Sequence, residues 1–350
     1  MKTICLVLLR FFFHVSPTVI IAAIILTLSA CSPFLRAPGK SINSPQLTDK
    51  GFLTADGELL VVKSWGPKEA DFKAIIIAMH GFNDYSNFFR VPGIFFADNY
   101  LKSYAYDQRG FGASKFLGSW SGTNTMVNDL KAFVSLIKKR YPKKPVYLLG
   151  ESMGAALILV AVTQPPKLQI DGVILSAPAV WGRKVMPWYQ RLALWIGARI
   201  IPTVRLTGEG LNLKPSDNIK MLRALGSDPL VIKKTRVDAI YGLVNLMDLA
   251  LGRTFKFSQK ALILYGEKDQ LIPLQPTLLM LNRLPKSAKE HQKVALYKDG
   301  YHMLLRDLNA MHPLKDILSW IEKSDSPFST GADLNVHKRL LYLRKKNNGG

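Results

Sequence analysis

One serine in this chain stands in a setting that can make it a nucleophile. Ser152 lies in Gly150-Glu151-Ser152-Met153-Gly154, a G-x-S-x-G pattern. An apolar run, residues 146–149, leads straight into the pattern, and Met153-Gly154-Ala155-Ala156-Leu157 leads straight out. That context predicts a strand, a sharp turn and a helix, with the serine held on strained backbone between them. The flanking glycines relieve contact where the elements meet. At a helix N-terminus, amide groups and the helix dipole favour negative charge. Without that context the pattern is a glycine-rich turn with an idle serine.

A serine hydroxyl needs a base, and the base needs an orienting acid. With a strand–turn–helix serine the order along the chain is serine, acid, histidine. The downstream histidines are His291, His302, His312 and His337. His302 sits in Asp299-Gly300-Tyr301-His302, the loop after the last predicted strand, where a base can reach the nucleophile. His291 precedes that strand, which puts it at the opposite sheet edge, and His312 lies in or near the final helix. The acid should follow the preceding strand, at Gly266-Glu267-Lys268-Asp269. Glu267 and Asp269 both qualify by chemistry. Asp269 lies further into the loop and closer to His302, while Glu267 reads as a solvated turn residue. His80-Gly81-Phe82 follows another apolar strand. The backbone N–H groups of Phe82 and Met153 can together form an oxyanion hole. His80 itself precedes the serine and reads as a hydrogen-bonded strand-end residue.

These residues need a scaffold. Strand-like runs recur at 59–63, 74–79, 103–106, 146–149, 172–175, 261–265 and 293–297. Those at 74–79 and 146–149 are apolar on both faces, as central strands of a doubly covered sheet must be. Residues 125–140 carry a helical apolar stripe (Met126, Leu130, Phe133, Val134, Ile137), a basic end and a stop at Pro142. The alternation predicts an α/β fold, a mainly parallel sheet with helices on both faces. It breaks at 180–258, which shows no convincing strand and two or three helices, and reads as an inserted helical cap. The core is then 51–179 and 259–325, with a tether at 32–50 and a basic tail at 326–350.

Composition sets outer limits. The 350 residues suffice for one large domain, or one domain with an inserted subdomain. Hydrophobic residues make up 48% and charged residues 21%, which excludes disorder throughout. Two cysteines exclude a disulfide framework and a Cys-rich zinc site. The net charge of +22 calls for an anionic neighbour. Residues 1–31 have the positive start, apolar run and small-residue end of a secretory signal. Their ending, Leu28-Ser29-Ala30-Cys31, resembles a bacterial lipobox, which implies lipid on Cys31. An uncleaved transmembrane anchor is the alternative, although Arg10, His14 and Pro17 interrupt the apolar run. Either places the body in the cell envelope, outside the cytoplasm. Ser32 after the cysteine favours the outer membrane if the cell is Gram-negative, by resemblance to such lipoproteins.

Taken together, His80-Gly81-Phe82, Tyr106-Asp107-Gln108-Arg109-Gly110-Phe111-Gly112-Ala113-Ser114, Gly150-Glu151-Ser152-Met153-Gly154, Tyr265-Gly266-Glu267-Lys268-Asp269 and Tyr301-His302 resemble a known family. They look like α/β-hydrolases of the monoacylglycerol lipase, lysophospholipase and serine-aminopeptidase-like group. The resemblance covers roughly residues 51–325 and is weakest in the cap. It implies nucleophile Ser152, acid Asp269, base His302, oxyanion amides of Phe82 and Met153, and no metal or organic cofactor. The expected substrate is a lipid or small carboxylic ester, a monoacylglycerol or lysophospholipid foremost. One departure is plain: such lipases continue His-Gly with a small residue and a Glu-His pair, where this chain has Phe82-Asn83-Asp84-Tyr85-Ser86. Arg109 is expected to anchor its loop rather than touch substrate. The cap opens with interleaved aromatic and basic residues, Trp181 and Trp188 among them, as an interfacial or acyl-chain contact does. The same pattern fits nucleic acid, but an export signal makes that partner a poor one. An aminopeptidase or amidase would need a carboxylate for a free amine, for which Asp84 is the candidate. A non-catalytic envelope binding protein would be expected to lack a member of the triad.

Overall fold

The computed structural model describes residues 33–67 and 71–348. The expected signal and Cys31 lie outside the described residues. Three short strands, β1 (Gln46–Thr48), β2 (Gly51–Leu53) and β3 (Leu59–Leu60), form a small antiparallel sheet. Then come β4 (Val62–Trp65), β5 (Ala74–Met79), α1 (Arg90–Asp98), β6 (Leu101–Tyr106), α2 (Thr123–Arg140), β7 (Val146–Glu151), α3 (Met153–Val162) and β8 (Gly172–Ser176). The middle of the chain holds α4 (Trp188–Ile200), β9 (Arg205–Thr207), α5 (Ile219–Ser227), β10 (Lys234–Arg236) and α6 (Val237–Arg253). Last are β11 (Ala261–Gly266), α7 (Leu274–Asn282), β12 (Gln292–Tyr297), α8 (Met311–Glu322) and α9 (Val336–Asn348).

The seven expected strands are all present, the first split at Val61 into β3 and β4. The main sheet has the order β12-β11-β8-β7-β5-β6-β4. All neighbours are parallel except β4, which runs antiparallel to β6. The two-residue alternation of a strand divides β5 between two cores. Ile75, Ile77 and Met79 join α2, α3 and α6 on one face, while Ala74, Ile76 and Ala78 join α1 and α8 on the other. Every residue of α3 is buried, so this helix is apolar all round instead of striped.

Four sequence expectations need correction. The stretch 180–258 contains a two-stranded antiparallel ribbon, β9 with β10, registered Arg205 opposite Arg236. Three exposed or half-exposed residues per strand carry no apolar alternation, which is why the pattern was silent. Helix α6 is not cap-like, since Ala239, Val244, Leu246, Ala250 and Leu251 enter the main core. The presumed tether lies on the body: the Arg36 N–H donates to the Trp120 carbonyl at 2.9 Å, and Ile42 N–H to the Ala55 carbonyl at 2.8 Å. The basic tail is partly structural too. The Leu296 N–H of edge strand β12 donates to the Ala332 carbonyl at 2.9 Å, and Leu340 of α9 is buried with Tyr265 and Leu296. Among the described residues no helix is long and apolar enough to cross a membrane.

Arg109 anchors its loop as expected. It donates through Nε and Nη2 to Asp129 at 2.6 and 3.0 Å, and its terminal nitrogens also reach Asp56 and Glu58. Removing a guanidinium that is only 5% exposed strands those carboxylates. Arg109→Met should therefore cost about 3–5 kcal/mol, read as a lower denaturant midpoint.

Candidate active site

The site is built at the C-terminal ends of the parallel strands. β7 ends and α3 begins at Ser152, whose backbone stands at φ 54°, ψ −112°. A non-glycine residue there is strained and must be held by its surroundings. The Ser152 N–H donates to the Ser176 carbonyl at 2.9 Å, and the Ser152 carbonyl accepts from Ala156 at 3.1 Å. The flanking glycines are sterically required. A Cβ on Gly154 would stand 2.2 Å from the Met79 carbonyl oxygen, and one on Gly150 would stand 2.4 Å from the Ala155 nitrogen. Both contacts are far inside van der Waals range, so α3 can lie against β5 only with glycine at 154 and turn back over the end of β7 only with glycine at 150.

The loops after β11 and β12, which carry the candidate acid and base, are pressed on each other. A Cβ on Gly266 would meet the carbonyl oxygens of Gly300 and Tyr301 at 2.5 Å. Across this seam the N–H groups of Glu267 and Lys268 donate to the carbonyls of Tyr297 and Gly300, each at 2.9 Å. His302 Nδ1 then bonds to Asp269 Oδ2 at 2.8 Å. The other carboxylate oxygen, Oδ1, accepts the N–H groups of Leu271 and Ile272 at 2.8 and 2.9 Å. Asp269 is thus fixed at both oxygens, and it fixes the imidazole with Nδ1 as the donor. Burial by itself pushes the His302 imidazole down, but the charges of Asp269 and Glu151 outweigh it, and the net shift is upward.

The structure places Phe82 on the loop after β5, its ring edge-on to Phe111 and Trp120. A Cβ on Gly81 would be 3.5 Å from the Ser152 Cβ, so this loop adjoins the elbow from which Met153 starts α3. His80 has the structural role expected of it. Its Nε2 accepts the Gln108 N–H at 3.0 Å and its Nδ1 donates to the Gly81 carbonyl at 2.8 Å. Burial pushes its pKa down, so it stays neutral.

The two expected substrate contacts differ in burial: Trp181 is half-buried against the core, whereas Trp188 opens α4 and is 72% exposed. Glu267 is not a solvated turn residue, for it pairs with Arg339 of α9 and its side chain is 14% exposed. A cavity of about 520 Å³ has Glu267, Gly300, Asp307 and Arg339 in its walls but none of Ser152, Asp269 or His302, so it is not an acyl cleft.

Sequence reasoning missed Arg306. It bonds Asp84 through Nη1 at 2.8 Å and Glu151 through Nη2 at 2.6 Å, all three side chains being buried. One signal was available: Glu151 is a charged residue between an apolar strand and an apolar helix, and a buried charge needs a partner. It missed Asp307 as well. Its Oδ2 accepts the Tyr301 N–H at 2.8 Å and its Oδ1 the Ser216 hydroxyl at 2.6 Å, and burial pushes its carboxyl up to about 6.

A doubly covered parallel sheet carrying a strained serine at the β7–α3 turn, with an acid and a histidine on later strand-end loops, defines an α/β-hydrolase. The chain belongs to the Hydrolase_4 family, described as serine aminopeptidase S33, whose model matches residues 70–309. It is similar to a monoacylglycerol lipase of Mycolicibacterium smegmatis, 25% identical over 279 residues that cover 78% of this chain and 96% of the relative. It is also similar to the human monoglyceride lipase, 26% identical over 272 residues, covering 73% and 84%. Among solved structures, a soluble variant of Saccharomyces cerevisiae monoglyceride lipase in complex with a substrate analogue superposes with a TM-score of 0.65 at 22% identity, covering 83% of this chain and 99% of that one. The protein is a monoacylglycerol lipase-like serine hydrolase of the lipase and esterase type.

Proton transfer from serine to histidine requires a neutral imidazole. With the His302 pKa above its ordinary 6.5, hydrolysis of a p-nitrophenyl ester should rise along an acid limb centred above pH 6.5. Asp269→Asn should lower kcat by about 10⁴-fold and move that limb down, because the carboxylate that favours the imidazolium is gone.

Proposed function

We propose that this protein hydrolyses a long-chain acyl ester, a monoacylglycerol or lysophospholipid, through an acyl-enzyme on Ser152. The observations that carry the reading are the His302–Asp269 pair, with Asp269 fixed at both oxygens, and a serine held on strained backbone at the end of β7. The Ser152 hydroxyl attacks the ester carbonyl while His302 Nε2 takes its proton. The N–H groups of Phe82 and Met153 hold the oxyanion. Collapse releases the alcohol, which leaves with the proton from His302. Water then attacks the acyl-enzyme, again giving its proton to His302, and the fatty acid departs.

The lipid half of the reading is supported by the named relatives and by the cap. Trp188, Leu192, Ile196 and Ile200 recur every four residues along α4 and are all exposed, with Tyr189 beside them. Such a stripe, with Lys184, Arg191 and Arg205 nearby in the chain, suits the interface of an anionic membrane. We place the protein in the cell envelope, held by lipid on Cys31 and assisted by its basic surface. The aminopeptidase reading loses its candidate group: Asp84 is ion-paired with Arg306 and accepts the Tyr85 N–H at 2.8 Å, which leaves no free carboxylate for a substrate amine. Every triad position is filled, which disfavours a binding-only protein.

Substrate profiling of a chain starting after Cys31 tests this, with monoacylglycerols, lysophospholipids, short esters and aminoacyl amides, and Ser152→Ala alongside. Long-chain fatty acid should be released by the parent and not by the variant. Activity confined to short esters would overturn the lipid reading, and equal turnover by Ser152→Ala would overturn the nucleophile. In whole cells, labelled fatty acid should enter the wild-type protein and not Cys31→Ala.

A further inference from the structure

We propose that Arg306 is a positioning residue that binds the three loops of the reaction centre into one unit and, through Glu151, sets the basicity of His302. This rests on the triad reading above and concerns how that triad is held.

The geometry is specific. Arg306 lies four residues after His302 on the base loop. Its Nη1 meets Asp84, two residues after Phe82 on the proposed oxyanion loop, at 2.8 Å. Its Nη2 meets Glu151, the residue before Ser152, at 2.6 Å. One planar guanidinium therefore touches the element of the base, of the nucleophile and of the oxyanion amide. Its forked donors suit this task, because two carboxylates can be engaged from fixed directions at once. The three side chains are 5–7% exposed or less, with Arg306 at 7%, Asp84 at 5% and Glu151 at 2%. Among the described residues Arg306 is the one cation within ion-pair distance of Glu151, and the same holds for Asp84.

The charges also reach the base. His302 is faced by Asp269 from the acid loop, Glu151 from β7, Arg306 on its own loop, and Asp84 through Arg306; Asp307 follows on the same loop. Glu151 favours the imidazolium and Arg306 opposes it. Neutralising either should move His302 in opposite directions, which a purely structural brace would not do. The chain pairs this arginine with Asp84, in the segment that departs from the family pattern, and with Glu151, a free position within G-x-S-x-G.

The test is the pH dependence of covalent labelling of Ser152 by a fluorophosphonate, on the full chain. The wild type is compared with Arg306→Gln, Arg306→Lys and Glu151→Gln. The rate should follow an acid limb set by neutral His302. We expect Arg306→Gln to raise the midpoint by about half a pH unit or more and Glu151→Gln to lower it by a similar amount. Arg306→Lys, which keeps charge but loses the fork, should leave the midpoint near wild type and slow labelling by about ten-fold or more. Unmoved midpoints in both neutral variants overturn the electrostatic role, and a wild-type rate in Arg306→Lys overturns the positioning role. Should Arg306→Gln not fold, Glu151→Gln decides the electrostatic role, since it leaves Arg306 paired with Asp84. A wild type that does not label overturns the triad reading and this proposal together. A wild type that labels but releases no long-chain fatty acid overturns only the substrate reading.

Discussion

Helix α3 lies so close to β5 that the Met79 carbonyl oxygen would stand 2.2 Å from any Cβ at position 154. That approach forces a sharp turn, and the turn puts Ser152 at positive φ with its carbonyl already engaged by α3. The burial of all ten residues of α3 supplies the driving force. Apolar surface removed from water contributes roughly 25 cal/mol per Å², against a strain of about 1–3 kcal/mol for one unfavourable backbone conformation. Packing therefore wins, and the serine is held where relaxed backbone would not put it. The glycines at 150 and 154 are consequences of this packing first and of chemistry second.

The other reacting groups depend on contacts between loops. The acid and base loops meet through Gly266, with no side chain between them. The segment before α5 holds the base loop from its other side. The Met303 N–H donates to the Pro215 carbonyl at 3.0 Å, Asn218 donates to the Arg306 carbonyl at 2.9 Å, and Ser216 reaches Asp307. The loop after β5, which carries Phe82, is held similarly: the Ile232 N–H donates to the Asn83 carbonyl at 2.9 Å, and the Tyr85 hydroxyl donates to Asp228 at 2.7 Å. Residues 215–235 thus belong to the frame of the site as well as to its cover. A change of sequence there acts on the placement of His302 and Phe82 even where it touches no substrate.

What could be read in advance follows from the range of each interaction. The strands, α2 and the serine turn are local patterns of period two, period 3.6 and fixed spacing, and they were legible. So was the meeting of His302 with Asp269, because loop position after a strand is a topological fact. Ribbon β9–β10 was not legible, because exposed three-residue strands carry no alternation. Helix α6 shows the converse: helices were expected in this stretch, but whether one covers the cleft or the sheet depends on where the chain returns. Arg306 and Arg339 were invisible for a third reason. Their partners Glu151 and Glu267 lie 155 and 72 residues away in sequence, and nothing local tells which arginine meets a distant acid.

Charge illustrates the same separation of levels. The chain as a whole carries +22, which points to an anionic neighbour. Yet among the described residues the buried cations Lys102, Arg109 and Arg306 are outnumbered by eight buried carboxylates. The interior is net negative, and several of those acids, Asp84, Glu151, Asp269 and Asp307, gather around His302 and its loop. The outer surface must then be more basic than the composition states, and it is that surface which an anionic membrane would meet. The acids inside serve a different end. Asp269 and Glu151 favour an imidazolium at His302 and Arg306 opposes it, the balance that the proposed proton transfer from Ser152 would use. Under the function proposed above, the basic surface would bear on where the protein works and the acidic interior on how fast the proton moves.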